Sequence, residues 1–426
     1  MRKMSLTLRV LIGLVAGVVV GLLVNRMAPG TVRDLWLIDG LFNFLGQIFL
    51  RLVMMLVPPL VFISITCGVA GMDDIGKLGR VGGRSLAYYG VTSLFSCGIG
   101  LALALIFKPG RGLDLSSLMA KTGVVDSGIS APVSRGFWGT LLELVPKNPF
   151  AALGEGNMLQ IIVFALFLGV GIALLGEKTR RLRGALDELN ALFLHLIAIV
   201  MEIAPFGIFG FMAKTLATLG IAALLPLARY VGLFYLAMII WGVVVGCGLL
   251  VLHGMSPAIY FKKFFKVMVL AFSTSSSNAT LPMNLAVTTE QLGASNRIAS
   301  FTLPLGATVN MNGTAAMQGL AALFIAQLYG VDLTVSQMVT IALTATLAAV
   351  GTAGVPGAGP IMLSMVLTGV GLPLDGVALI FAVDRLVDMA RTTANITGDS
   401  LCTLFICKAE GEFDRQVFES KEGELY

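Results

Sequence analysis

From Tyr88 to Phe107 the chain carries no charged side chain, and a hydrocarbon core about 30 Å thick needs roughly 20 such residues to cross it. Leu11 to Val24, Gly46 to Gly71, Met158 to Leu175, Ala191 to Met212 and Tyr230 to Leu252 have the same texture, with at most an isolated charge. A soluble chain of 426 residues would fold as two or three domains, but 57% hydrophobic and 12% charged residues lie outside ordinary globular composition. The sequence therefore predicts an all-α polytopic membrane protein, with its backbone polar groups satisfied inside helices.

The first apolar segment follows Met1, Arg2 and Lys3 and has the look of a signal peptide, but no small-x-small cleavage site precedes Met27 to Gly30. We read it as a retained helix whose Gly13, Gly17 and Gly21 pack closely on a neighbour. The other reading is that they merely tolerate membrane helix geometry. A net charge of +5 would hint at nucleic acid in a soluble protein. Here the charge falls between spans, at Lys77, Arg80 and Arg84, at Lys178, Arg180, Arg181 and Arg183, and at Lys262, Lys263 and Lys266. By the positive-inside rule these read as cytoplasmic loops, on the same side as both termini, and not as a nucleic-acid surface. Cys67, Cys97, Cys247, Cys402 and Cys407 lack metal-ligand spacing, and His195 and His253 form no His-Glu-x-x-His motif. Metal-assisted hydrolysis is excluded on that pattern, and no nucleophile and base pair marks an enzyme.

Beyond residue 254 the texture changes. Ser273 to Pro282 and Gly351 to Pro360 place Ser, Thr, Asn, Gly and Pro between apolar arms about half a span long. Polar, helix-breaking sequence at membrane depth survives only when buried in protein or lining a cavity. Two re-entrant helical hairpins are the expected result, as in carriers built from inverted repeats. Ordinary extramembrane loops are the alternative. Between them, Thr302 to Thr314 interrupts another apolar helix. Pro304, Gly306 and Gly313 are expected to free carbonyls there, with Asn and Thr oxygens completing a hard-cation cage. A kinked packing helix is the plainer reading.

The last apolar helix is charged. Asp384, Asp388, Arg391, Asn395 and Asp399 follow spacings of four, three, four and four, which puts them within an arc of roughly 80° on one face. A carboxylate at the bilayer centre costs at least about 2.5 to 3.5 kcal/mol. An arginine fork suits a carboxylate, an aspartate suits an ammonium, and a further carboxylate with amide oxygens suits a bare cation. Together they describe a zwitterion with an extra acidic group. Against this stands an internal network in which Arg391 neutralises Asp388. Arg385 lies about 100° off the stripe and is assigned to a structural contact.

These motifs in this order resemble the glutamate transporter family, the dicarboxylate and amino acid:cation symporters that include archaeal aspartate transporters and animal excitatory amino acid transporters. The resemblance spans the chain: Arg51 to Gly71 with Pro58 and Pro59, Asn148 to Phe150, Ala204 to Gly207, the serine-rich hairpin, Asn310 to Thr314, Gly351 to Gly357, and Asp388 to Thr392. It implies eight transmembrane helices plus two hairpins and an elevator fold in a homotrimer of the cytoplasmic (inner) membrane. Residues 1–82 and 148–220 would be scaffold, with residues 83–147 holding a third helix and an extracellular loop. Residues 221–254 would be a sixth helix, and residues 255–426 the transport core. Within that core the hairpins would fall at about 258–292 and 335–372, a seventh helix at 296–329 and an eighth at 375–408, followed by a cytoplasmic tail.

The resemblance also implies a site for an acidic amino acid, L-aspartate or L-glutamate. Arg391 would hold its side-chain carboxylate and Asp388 its ammonium. Ser275, Ser276 and Ser277 would take the main carboxylate, helped by Met311, Thr314, Val355, Gly359, Thr392 and Asn395. Cotransported cations, Na+ by family pattern, would bind at Gly306, Asn310, Asn395 and Asp399, and at Thr308 with carbonyls near Ala349 and Thr352. A third cation would bind at Tyr89, Thr92, Ser93, Asn310 and Asn312. The family carries aspartate where this chain has Asn312, which implies weaker cation binding there. Gln318 stands where animal members carry a proton-handling glutamate, and Ser275 where archaeal members carry arginine.

Overall fold

The computed structural model describes residues 6–70, 75–111, 145–155, 158–350, 352, 354 and 357–420. These residues are almost all helical, and the β contact among them is an isolated antiparallel bridge between Ala294 and Phe413. Helix α1 is Leu6–Asn25; α2 opens with wide π-type turns over Val32–Phe42 and continues as Asn43–Ala70; α3 is Ile75–Phe107. There follow α4 Pro149–Glu155, α5 Met158–Leu175, α6 Arg180–Glu202, α7 Ala204–Leu219 and α8 Leu224–Leu252, which widens into π turns over Trp241–Cys247. The polar half comprises α9 Pro257–Thr274, α10 Ser277–Glu290, α11 Asn296–Val309, α12 Asn312–Leu328, α13 Val335–Val350, α14 Ala358–Gly369, α15 Gly376–Ala409 and α16 Arg415–Glu419.

Among the described residues, Leu8–Asn25, Arg80–Phe107 and Leu224–Leu252 are long and apolar enough to cross a membrane. The stretch Ala191 to Met212, expected to be one span, is divided between α6 and α7 at Ile203, because Pro205 cannot supply the N–H that would continue α6. The basic clusters also differ from expectation. Residues 77, 80 and 84 lie inside α3, residues 262, 263 and 266 inside α9, and residues 180, 181 and 183 in the opening turns of α6. Lys178 alone sits in a connecting 3-10 turn. Helices here run on past their apolar portions. Much of the long loop expected from Lys108 to Lys147 lies outside the described residues.

Packing follows side-chain size. α1 lies along α7, where a Cβ at Gly17 or Gly21 would come within 2.8 Å of the Phe209 or Ala213 carbonyl oxygen. The close-packing reading of these glycines therefore holds. α2 packs on α5, α6 and α7, and α3 runs along α12. At the centre stands α15, 34 residues long, in contact with α1, α3, α7 through α12 and α14. It is buried from Gly376 to Cys407 at nearly every position, on its polar as well as its apolar face.

Two helix pairs fold back on themselves against α15. α9 and α10 turn at Ser275 and Ser276; α13 ends at Val350 and α14, which begins at Ala358, packs back along it. Their arms are 18, 14, 16 and 12 residues long. The α9 arm exceeds the expected half-span because its first turns carry the lysines. Lys263 Nζ donates to the carbonyls of Gln291, Val417 and Phe418 at 2.9, 2.8 and 2.8 Å, tying the base of this pair to α16. Arg80 and Arg84 pair with Glu410 at 3.0 and 2.6 Å, so the start of α3, the base of α9 and the end of α15 share one end of the bundle.

Candidate functional site

Side chains on a helix lean toward its N-terminus. Arg391 accordingly reaches back along α15, its Nη2 donating to Asp388 Oδ1 at 2.6 Å and its Nη1 to Asp384 Oδ1 at 3.1 Å. The pair with Asp388 is the internal network weighed against a ligand site; the pair with Asp384, two turns away, was not foreseen. All three side chains are almost sealed from solvent, at 3% exposure for Arg391, 5% for Asp384 and 2% for Asp388. Arg385 interacts electrostatically with both aspartates and donates from Nη2 to the Ser273 carbonyl at 3.3 Å. That is the structural contact expected of it, and the four groups carry no formal net charge together.

Two helix beginnings lie against this cluster, and a third meets the tip that precedes one of them. Gly357, just before α14, donates its N–H to Asp388 Oδ2 at 3.1 Å, and Thr392 Oγ1 donates to Asp388 Oδ1 at 3.3 Å. Gly313, in the first turn of α12, lies so close to α15 that a Cβ would stand 2.5 Å from the Arg391 carbonyl oxygen. α10 begins at the tip that meets Gly354, where Ser276 Oγ donates to the Gly354 carbonyl at 3.0 Å and Asn278 N–H to the same oxygen at 3.3 Å. Helix N-termini expose unpaired N–H groups and the positive end of the dipole, so the two against the cluster favour an anion.

The turn before α10 is strained. Ser275 has a φ of 52°, a left-handed conformation uncommon for a residue with a side chain. Among the described residues its buried Oγ has no hydrogen-bond partner, nor has Thr314 Oγ1. Ser276 Oγ is occupied, by the Gly354 carbonyl and by the Ala279 N–H at 3.3 Å, while Ser277 begins α10. Met311 Sδ accepts from Asn395 Nδ2 at 3.0 Å. A Cβ on Gly359 would collide with the Arg391 guanidinium. Val355 lies outside the described residues.

The interruption between α11 and α12 falls at Asn310 and Met311, later than expected. Pro304 and Gly306 remain inside α11, and Gly313 inside α12. The break is held open from α15: Asn395 Oδ1 accepts the Gly313 N–H at 2.8 Å and the Asn395 carbonyl accepts from Asn310 Nδ2 at 3.3 Å. Asn310 Nδ2 also donates to Asp399 Oδ1 at 2.8 Å, leaving Asn310 Oδ1 buried with no partner. Gly306 gives Asp399 its room, since a Cβ there would lie 2.5 Å from the carboxylate and 2.9 Å from Tyr89 Oη. Gly306, Asn310, Asn395 and Asp399 thus come together, with a free amide oxygen suited to a hard cation.

Tyr89 Oη donates to the Thr302 carbonyl at 3.0 Å, Thr92 Oγ1 to Tyr88 O at 2.8 Å and Ser93 Oγ to Asn312 Oδ1 at 3.1 Å. Ser96 Oγ, missed by sequence reading, donates to the Asn312 carbonyl at 2.7 Å. Asn312 presents its unpartnered Nδ2 toward Gly398, a donor where a cation needs an acceptor. Thr308 Oγ1 donates to Leu305 O, and Thr352 Oγ1 to Ala348 O. Among the described residues no hydrogen bond joins Thr308 to Ala349 or Thr352. Gly354 lies close to α11, where an added Cβ would meet the Ala307 carbonyl oxygen at 2.6 Å. No group of three His, Cys, Asp or Glu suited to a metal occurs among the described residues.

Buried opposing charges between two folded-back helix pairs, inside a bundle of apolar helices, define a membrane transport protein. The chain belongs to the sodium:dicarboxylate symporter family, whose model matches residues 6–409. It is 36% identical to the proton/glutamate-aspartate symporter of Escherichia coli (strain K12), over 99% of this chain and 97% of that one. It is 35% identical to the proton/sodium-glutamate symport protein of Geobacillus stearothermophilus, over 98% and 97%. It is also 33% identical to the C4-dicarboxylate transport protein of Cupriavidus necator, over 88% and 87%. The family and these relatives are transporters, not enzymes.

Proposed function

We propose that this protein is a secondary symporter of acidic amino acids, L-aspartate or L-glutamate, driven by cotransported cations, Na+ foremost. The observation that carries the reading is the guanidinium of Arg391, buried between Asp384, Asp388 and the first turn of α14. Cargo carboxylate would displace Asp384 and Asp388 from it, and the freed Asp388 would take the ammonium. With Asp384, Arg385, Asp388 and Arg391 neutral together, the remaining charges are Asp399 and an anionic cargo. Cations must enter with that cargo, because net charge in a dry site is prohibitively unfavourable. Two cations balance it, and Asn312 removes the charge that would call for a third.

In this reading residues 255–426, with α3 and α8, move as an elevator against a trimeric scaffold of residues 1–82 and 148–220 in the inner membrane, both termini cytoplasmic. The test is uptake of radiolabelled aspartate and glutamate into proteoliposomes with Na+ and proton gradients varied in turn. Arg391→Ala should abolish uptake while the purified protein elutes as the wild type does; unchanged uptake overturns the assignment. A C4-dicarboxylate cargo is the second reading, favoured by the relatives of that name. Asp388→Asn separates the two: loss of aspartate uptake marks an amino acid carrier, and retained succinate uptake with aspartate inert from the start marks the other.

A further inference from the structure

Arg385 sits between the two aspartates of α15, next to Asp384 and one turn before Asp388, and is only 5% exposed. Residues three apart on a helix are neighbours, and side chains lean toward the N-terminus, so Asp388 comes back onto the level of Arg385. Its own guanidinium leaves the stripe: Nη2 donates to the Ser273 carbonyl at 3.3 Å, in the last turn of α9. Carbonyls at a helix end have no partner within their helix and carry the negative end of its dipole, which suits a cation. Arg385 is thus anchored on the first helix pair, whereas Arg391 is held by the two aspartates that cargo is to displace.

That difference matters to the charge balance. When the cargo carboxylate claims Arg391, Asp384 and Asp388 keep two positive groups, the cargo ammonium and Arg385. Without Arg385 the loaded site, its two cations included, would hold an uncompensated negative charge away from water, which is strongly unfavourable. We infer that Arg385 is a fixed counter-ion that sets the coupling number: with it two cations accompany each acidic cargo, and without it the site takes up a third positive charge, Na+ or a proton. Arg385 acts through Asp384 and Asp388 and is a positioning residue. The inference rests on the reading that Arg391 holds the cargo carboxylate and that the loaded site is neutral.

The test is calorimetry of aspartate binding to the full chain in lipid nanodiscs, over a series of Na+ and proton concentrations. The slope of log affinity against log cation concentration counts the cations taken up with the cargo. The Na+ and proton slopes together should come to two in the wild type and three in Arg385→Gln. Arg385→Lys, which keeps the charge and gives up the planar fork, should return to two. A slope of two in Arg385→Gln overturns the inference, even where affinity falls, because the arginine is then merely structural. A slope of three in Arg385→Lys overturns it as well, since charge would not be what counts. Should Arg385→Gln fail to fold, Asp384→Asn reads the same balance from the other side. That variant should take up one cation and its double variant with Arg385→Gln two; one in both overturns the inference. Wild-type protein that gives no heat with aspartate, or a slope other than two, sinks the symport reading itself, whereas two in the wild type beside two in Arg385→Gln sinks only the counter-ion.

Discussion

Gly359 is where the tightness of the site can be measured. A Cβ there would strike the Arg391 guanidinium and approach Met317 Cε to 2.9 Å. The guanidinium must move, and the pairs at 2.6 and 3.1 Å to Asp388 and Asp384 must lengthen. Because the methyl takes the place of the guanidinium that is to hold the cargo carboxylate, Gly359→Ala is expected to lower aspartate affinity about tenfold, hydrogen bonds to charged groups being worth about 1.5 to 3 kcal/mol. Calorimetry on the purified variant checks this, and wild-type affinity would show that the guanidinium relocates freely. At this scale the sequence was partly legible. Asp388, Arg391, Asn395 and Asp399 could be read from their spacing because helical geometry fixes which residues share a face. Asp384 as a direct partner of Arg391 could not, since that pairing depends on the reach of a long side chain across two turns. Ser96 was invisible for a different reason: it arrives from another helix.

Helix ends obey a similar division. Pro304 and Gly306 announced an interruption, yet α11 runs past both and stops at Val309. The position of the break is set by Asn395, whose side chain and carbonyl replace the missing partners of Gly313 and Asn310. That is tertiary information, absent from local propensity. The serine-rich turn behaved more locally, since Ser276 caps α10 through Ala279 N–H as an N-cap serine should. Ser276→Ala removes this cap and the bond to Gly354 together, at a cost of about 1 kcal/mol for the cap alone. Hydrogen exchange should quicken in the amides of 277–280 and 357–359; unchanged protection would mean that the tips are held by something else.

For the whole molecule, the proposed symport ties the number of cations moved per cargo to the buried charges among the described residues. One unpaired carboxylate, Asp399, and one anionic cargo call for two cations. Reversal potentials in proteoliposomes, measured across imposed Na+, proton and K+ gradients, should therefore fit two coupled cations per aspartate; a slope fitting three would refute the role given to Asn312. Apolar length, polar interruptions and the charged stripe made the helical membrane character legible, because a bilayer imposes the same constraint on every span. The packing of α3 along α12 and the lysine tie from α9 to α16 had no such signature, since they are contacts between distant stretches of chain.

The meeting of Ser276 with Gly354 has an evolutionary corollary. The acceptor on one tip is a main-chain oxygen, which no substitution can delete, while the hydroxyl on the other tip is a side chain that a single base change removes. Selection on how firmly the two tips are joined can therefore act through the Ser276 hydroxyl, while the bond from Asn278 N–H to the same oxygen is main chain on both sides and lies beyond its reach.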